Sequence, residues 1–143
     1  MALIEFQNNS APYLNADNLN NNFQELSDSS KGNILWTNLS VTNTFNSQTI
    51  DLSSSNYNFY EIIYASNITT GALYFNTGKI PKGKGTRISV SAGSTTNGPY
   101  IYFRTVNYTN DTQLSFTDAS VTYSSTMTTN NDQIIPAYVI GYK

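Results

Sequence analysis

The chain has 143 residues, no Cys, no His and a formal net charge of −2. That length suits one domain of ordinary size. The missing side chains exclude disulfide scaffolds, thiolate nucleophiles, Cys/His zinc sites and any catalytic arrangement that needs imidazole.

Ser, Thr and Asn supply 17, 18 and 20 residues against 7 basic and 9 acidic ones, so the surface is polar and nearly uncharged. With 11 Tyr, 7 Phe and 1 Trp the chain is too aromatic for a disordered one. Met1–Phe6 lacks the basic start and long apolar stretch of a secretory signal, and no apolar window reaches the length of a membrane span. Neither processing nor membrane insertion is expected. A pI of about 4.8 gives the molecule no overall attraction to nucleic acid.

Two regions are expected, an N-terminal attachment segment over 1–30 and a β domain over 31–143. In the first, Leu19, Phe23 and Leu26 recur at i, i+4 and i+7 and form one apolar stripe of a short helix over Ala16–Ser27. Asn15 is the N-cap residue, and Leu14 and Leu19 have the spacing of a hydrophobic staple. A helix of about a dozen residues rich in Asn is not stable alone in water. Leu14, Leu19, Phe23 and Leu26 are therefore the candidate attachment or oligomer contacts.

From Ile34 onward, short alternating or apolar runs predict about eight strands: Ile34–Leu39, Thr49–Leu52, Phe59–Ala65, Ala72–Asn76, Arg87–Ser91, Tyr100–Tyr108, Gln113–Tyr123 and Ile134–Tyr142. Gly, Asn and Pro punctuate them as turn residues. The expected fold is all-β, an antiparallel, jelly-roll-like β-sandwich preceded by one short α-helix. In Tyr100–Tyr108, Ile101, Phe103, Thr105 and Asn107 alternate with Tyr100, Tyr102, Arg104, Val106 and Tyr108. One set is expected to face the core, and the other to form an aromatic surface around Arg104.

Gly78–Thr86 approaches the spacing of a phosphate-cradling loop. It fails at Gly85, where magnesium needs a hydroxyl, at Pro81, which lacks an amide hydrogen, and at the strand-like continuation where a helix is required. The segment still gathers Lys79, Lys82, Lys84 and Arg87, which are candidate anion contacts. The plainer account is a solvated hairpin whose lysines discourage edge-to-edge sheet pairing.

Sugars present apolar C–H faces and many hydroxyls, so flat rings beside neutral polar groups suit them. Trp36, Tyr57, Tyr100 and Tyr102, with Arg104 beside them, are the candidate glycan contacts, although Tyr also belongs in strands for packing alone. Glu61, Asp111 and Asp118 show no spacing diagnostic of a carboxylate pair, and Asn130–Asp132 reads as a tight turn. No enzymatic activity, metal or cofactor is expected.

The run Phe6–Asn20 resembles the "TPLNAENLN" opening of tail and baseplate structural proteins of phages of Gram-positive hosts, with Ala11–Leu14 departing from Thr-Pro-Leu by the insertion of Tyr13. Ile134–Lys143 resembles the "IPxxIxGxK" ending of small β domains on phage tail fibres, and Ile34–Trp36 and Asn56–Ile62 resemble that domain's first strand and its "Tyr-x-x-hydrophobic" strand entry. The resemblance implies a virion protein, usually a homotrimer, made in the host cytoplasm and joined to other virion proteins through its N-terminal segment. Its β head would be a tail-fibre or receptor-binding domain that meets host surface polysaccharide. A structural appendage such as a head fibre, collar or decoration protein, and a secreted carbohydrate-binding module, are the alternatives.

Overall fold

Ten strands arise where side chains alternate between core and solvent: β1 (Asn33–Thr37), β2 (Gln48–Asp51), β3 (Phe59–Thr69), β4 (Ala72–Pro81), β5 (Gly85–Ala92), β6 (Tyr100–Asn110), β7 (Gln113–Phe116), β8 (Ser120–Tyr123), β9 (Thr126–Thr129) and β10 (Ile135–Tyr142). The computed structural model describes residues 31–69, 72–92, 100–123 and 126–143, with 21, 23, 24 and 30 as isolated positions. The expected helix stripe lies outside the described residues except for Phe23, which is 65% exposed. Leu14, Leu19 and Leu26 also lie outside them.

All pairing is antiparallel. One sheet has four strands in the order β1-β10-β3-β4, so the C-terminal strand is inserted between the first and third. The other has six strands and is organised around β6, which pairs with β5 along Tyr100–Asn107. The opposite edge of β6 is shared by two shorter strands. β7 takes its C-terminal half, from Val106 on, and β8 takes Ile101–Phe103; β2 and β9 extend β7 and β8 outward.

The expected single strand Gln113–Tyr123 is thus two strands, broken at residues 117–119. Thr117 turns its own groups back on β6: its amide donates to Thr105 O at 3.0 Å and its Oγ1 accepts from Thr105 N at 3.1 Å. Residues 126–129, which lack an apolar alternation, form β9 with all four side chains exposed.

The sheets pack face to face as a sandwich. Ile62, Ile80, Ile88, Val106, Leu114 and Val139 are fully or almost fully buried between them. Aromatic side chains bridge the layers. Trp36 from β1 and Phe116 from β7 lie 6.5 Å apart, and Phe45, on the β1–β2 connection, meets both edge-on at 6.1 and 5.6 Å. Tyr60 from β3 meets Tyr108 from β6 at 6.2 Å. One side of the sandwich is closed where the chain passes directly from β4 to β5 through a turn at Lys82–Lys84. Gly83 supplies its positive φ of 74° there. Gly78 lets β5 approach, since a Cβ at that position would overlap Ile88 Cγ2.

Candidate functional site

The six-stranded sheet reverses the expected sides of β6. Val106 is buried, and Arg104, on the same side of the strand, is buried with it, whereas Ile101 and Asn107 are exposed. The Tyr/Arg set therefore faces the core. Arg104 is removed from any glycan surface. Its Nε donates to Ile134 O at 2.9 Å, its Nη2 to Phe45 O at 2.6 Å and its Nη1 to Thr117 O, while the guanidinium lies 5.0 Å over the Phe45 ring. Burial lowers its pKa to about 10, so it is still a cation at neutral pH.

The cation is buried there because three carbonyls need it. One belongs to Thr117 just after β7, one lies on the β1–β2 connection, and one belongs to Ile134, which has a φ of 51° just before β10. A polar network surrounds this clamp. Asp118 Oδ1 accepts from Ser47 N and Asn131 Nδ2, both at 2.8 Å, and Asn131 Oδ1 accepts from Ala119 N at 2.7 Å. These bonds hold the Asp118 carboxyl below its ordinary pKa of 3.8.

The basic segment is dispersed. Lys82 pairs with Asp111 at 2.6 Å, and Tyr108 Oη donates to the same carboxylate. That bond, with burial and the negative charge, pushes the Tyr108 phenol up to about 12, while Asp111 is held below 3.8. Lys79 lies over Phe59 at 5.6 Å, and Arg87 lies over Phe103 at 4.2 Å on the other sheet. Lys84 is exposed in the turn. The four cations have separate neighbours and do not converge on one anion pocket.

The proposed rings are also divided. Tyr57 is buried beneath Gly141, and Trp36 is packed between Phe45 and Phe116. Tyr57 is a core residue and Trp36 is half-buried against the core, beside the turn at Asn56, with φ 69°, and the register shift of β1 between Ile34 and Trp36 respectively. Tyr100 and Tyr102 lie near one another at 6.4 Å and keep partial exposure.

The two outer faces differ sharply in chemistry. On the six-stranded sheet, cross-strand rows run Ser91–Ile101–Thr122–Met127 and Ser89–Phe103–Ser120–Thr129, with Arg87 opposite Thr105. Hydroxyls dominate, interrupted by Ile101, Phe103 and Met127. On the four-stranded sheet the rows are Ile34–Ile140–Glu61–Lys79 and Thr37–Tyr138–Ile63–Thr77, flanked by the Tyr142–Phe59 pair and by Phe75. Ile34 is 62% exposed, Phe75 55% and Tyr138 38%. Tyr142 and Phe59 stack at 4.7 Å, and Tyr142 Oη donates to Glu61 Oε2 at 2.8 Å, which raises the phenol above its ordinary pKa.

No family model, curated protein or solved structure matches the chain. Among the described residues no three Asp or Glu side chains gather as a metal site, and no helix is long and apolar enough to cross a membrane. The apolar outer face was legible in principle, since β3 and β10 read as nearly continuous apolar runs. Such runs mark strands that are covered on both sides, where a strand with one wet face alternates.

Proposed function

We propose that this chain is a phage virion structural protein, a tail-fibre or receptor-binding head. It joins the particle through residues 1–30 and displays the β-sandwich. The observation that carries this is the division of labour along the chain. The described core is drawn from Leu35 to Val139, while Phe23, from the apolar stripe that needs a partner, is 65% exposed. Phe23, the one residue of that stripe among the described residues, is thereby open to another virion protein. The sequence resemblance at both ends favours the same assignment.

The displayed surface for polysaccharide is the outer face of the six-stranded sheet. Ser89, Ser91, Thr105, Ser120 and Thr122 offer neutral hydrogen-bonding groups there, and Arg87 is held over Phe103. A shallow face of this kind binds weakly per copy and gains by repetition on a particle.

The test is incorporation into particles. Deleting residues 1–30 is expected to leave a protein that melts cooperatively and is absent from purified virions. Incorporation at the full-length level would refute the attachment role. Adsorption to host cell wall separates a receptor-binding head from a purely structural appendage, for which virions with and without this protein would adsorb alike.

A further inference from the structure

We infer that Arg87 makes the outer face of the six-stranded sheet selective for an acidic polysaccharide, one whose sugars carry a carboxylate or a phosphate. The inference rests on the reading of that face as the sugar-binding one and adds the charge of the sugar. Ile88 is buried between the sheets, so its neighbours on β5, Arg87 and Ser89, point outward. Thr105 and Phe103 of β6 lie opposite them in register. The guanidinium carbon of Arg87 stands 4.2 Å from the centre of the Phe103 ring.

Arg104 gives its donors to three carbonyls, Lys82 is paired with Asp111, and Lys79 faces Glu61 across the ladder. Arg87 differs. Among the described residues it meets no carboxylate and donates no hydrogen bond. It is also the only ionic side chain that β5, β6, β7, β8 and β9 place on this face. Asp51, on β2, is aligned through Gln113 with Asn110, which sets it three strands over and about five residues along, roughly 20 Å away by strand geometry. Its carboxylate accepts from Gln113 Nε2 at 2.8 Å. Asp118, at the break between β7 and β8, is taken up by Ser47 and Asn131.

The Phe103 ring restrains the Arg87 side chain yet satisfies none of its N–H donors, which remain for a ligand. A guanidinium fork matches the paired oxygens of a carboxylate or phosphate, and a side chain already held in place loses little freedom when it binds one. The hydroxyls of Ser89, Thr105 and Ser120 stand in the same or the neighbouring row and suit the hydroxyls of the sugar that carries the anion. A nucleic acid fits less well. It is held by many cations together and by open rings for its bases, whereas this face has one cation, and that cation lies over the nearest ring.

The experiment is NMR of the full chain, following the backbone amides and the Arg87 Nε–H during titration with dextran, carboxymethyl-dextran and dextran phosphate. These polymers share one backbone and differ in charge. Both acidic polymers are expected to shift Arg87, Ser89, Phe103 and Thr105, with neutral dextran about tenfold weaker. The tighter of the two acidic polymers names the anion. Arg87→Gln is expected to reduce the acidic dextrans to the level of the neutral one, and Arg87→Lys, which keeps the charge without the fork, to fall between. Because Arg87 is exposed, both variants are expected to keep the wild-type spectrum beyond β5 and β6. Acidic and neutral dextrans shifting this face alike, with Arg87→Gln indifferent, would overturn the inference and leave the face a sugar-binding one. Shifts centred on the Lys82–Lys84 turn instead, or single-stranded DNA bound at Arg87 as tightly as the acidic dextrans, would also overturn it. No shift from any polymer would overturn both the inference and the reading beneath it.

Discussion

Replacing Arg104 by Met keeps the length and the apolar stem while removing every donor. Three carbonyls, on Phe45, Thr117 and Ile134, lose their partner at once. A hydrogen bond from a charged donor contributes about 1.5–3 kcal/mol, so the gross loss is about 5–9 kcal/mol. Burying the cation has a cost that Met does not incur. The fall of its pKa to about 10 corresponds to about 3 kcal/mol, which offsets part of the loss. The net destabilisation is then about 2–6 kcal/mol, a large share of the 5–15 kcal/mol that typically holds a domain. At roughly 3–5 °C per kcal/mol for a chain of this size, the melting temperature falls by about 6–30 °C. Arg104→Lys keeps the charge but has a single nitrogen for three diverging acceptors, and falls between the two. Urea unfolding followed by fluorescence suits the measurement, because the single tryptophan, Trp36, packs against the Phe45 ring on which Arg104 lies. A Met variant within about 1 kcal/mol of wild type would show that the carbonyls find other partners, and would refute the clamp.

Two further outcomes follow from polar groups elsewhere in the sandwich. Tyr60 Oη is buried with no hydrogen-bond partner among the described residues. Tyr60→Phe is therefore expected to be neutral or stabilising by up to about 1 kcal/mol in the same urea assay, and a loss above that would reveal a bound water holding the hydroxyl. Asp111 and Asp118 both have folded-state pKa values depressed below 3.8 by their donors, so their stabilisation is present above that pH and lost as pH falls through the folded values. Unfolding midpoints measured from pH 5 down to 2 are expected to decline less steeply for Asp111→Asn with Asp118→Asn than for wild type. Equal slopes would remove both carboxylates from the account.

Strand positions were legible wherever apolar and polar residues alternate or an apolar run is bounded by turn residues. Thr49–Leu52 and Tyr100–Tyr108 differ from β2 and β6 by one or two residues at an end. β9 was hidden because Thr126–Thr129 buries nothing and is placed only by its pairing with β8. The break between β7 and β8 was hidden because its cause lies in Arg104 and Thr105, a dozen residues earlier. The orientation of β6 failed for a related reason. A charge in an aromatic strand suggests solvent, and only the carbonyls of residues 45, 117 and 134, remote in sequence, make its burial favourable. Trp36 and Tyr57 were assigned to a surface by the chemistry of their rings, yet the same chemistry fills a core. The proposed attachment role of residues 1–30 rests on their sequence pattern and on the exposure of Phe23.

The insertion of β10 between β1 and β3 has a mechanical consequence. A tug arriving along the backbone from before Asn33 enters β1, an edge strand of five residues that among the described residues is paired with β10, with Leu35 O also accepting from Ser53 N at 2.9 Å. β10 in turn is stitched to β3 from Phe59 to Ala65, and Arg104 grips Ile134 just ahead of it. The load passes from a short edge rung into a strand that is paired along both of its edges. Under tension β1 should peel before the sandwich opens.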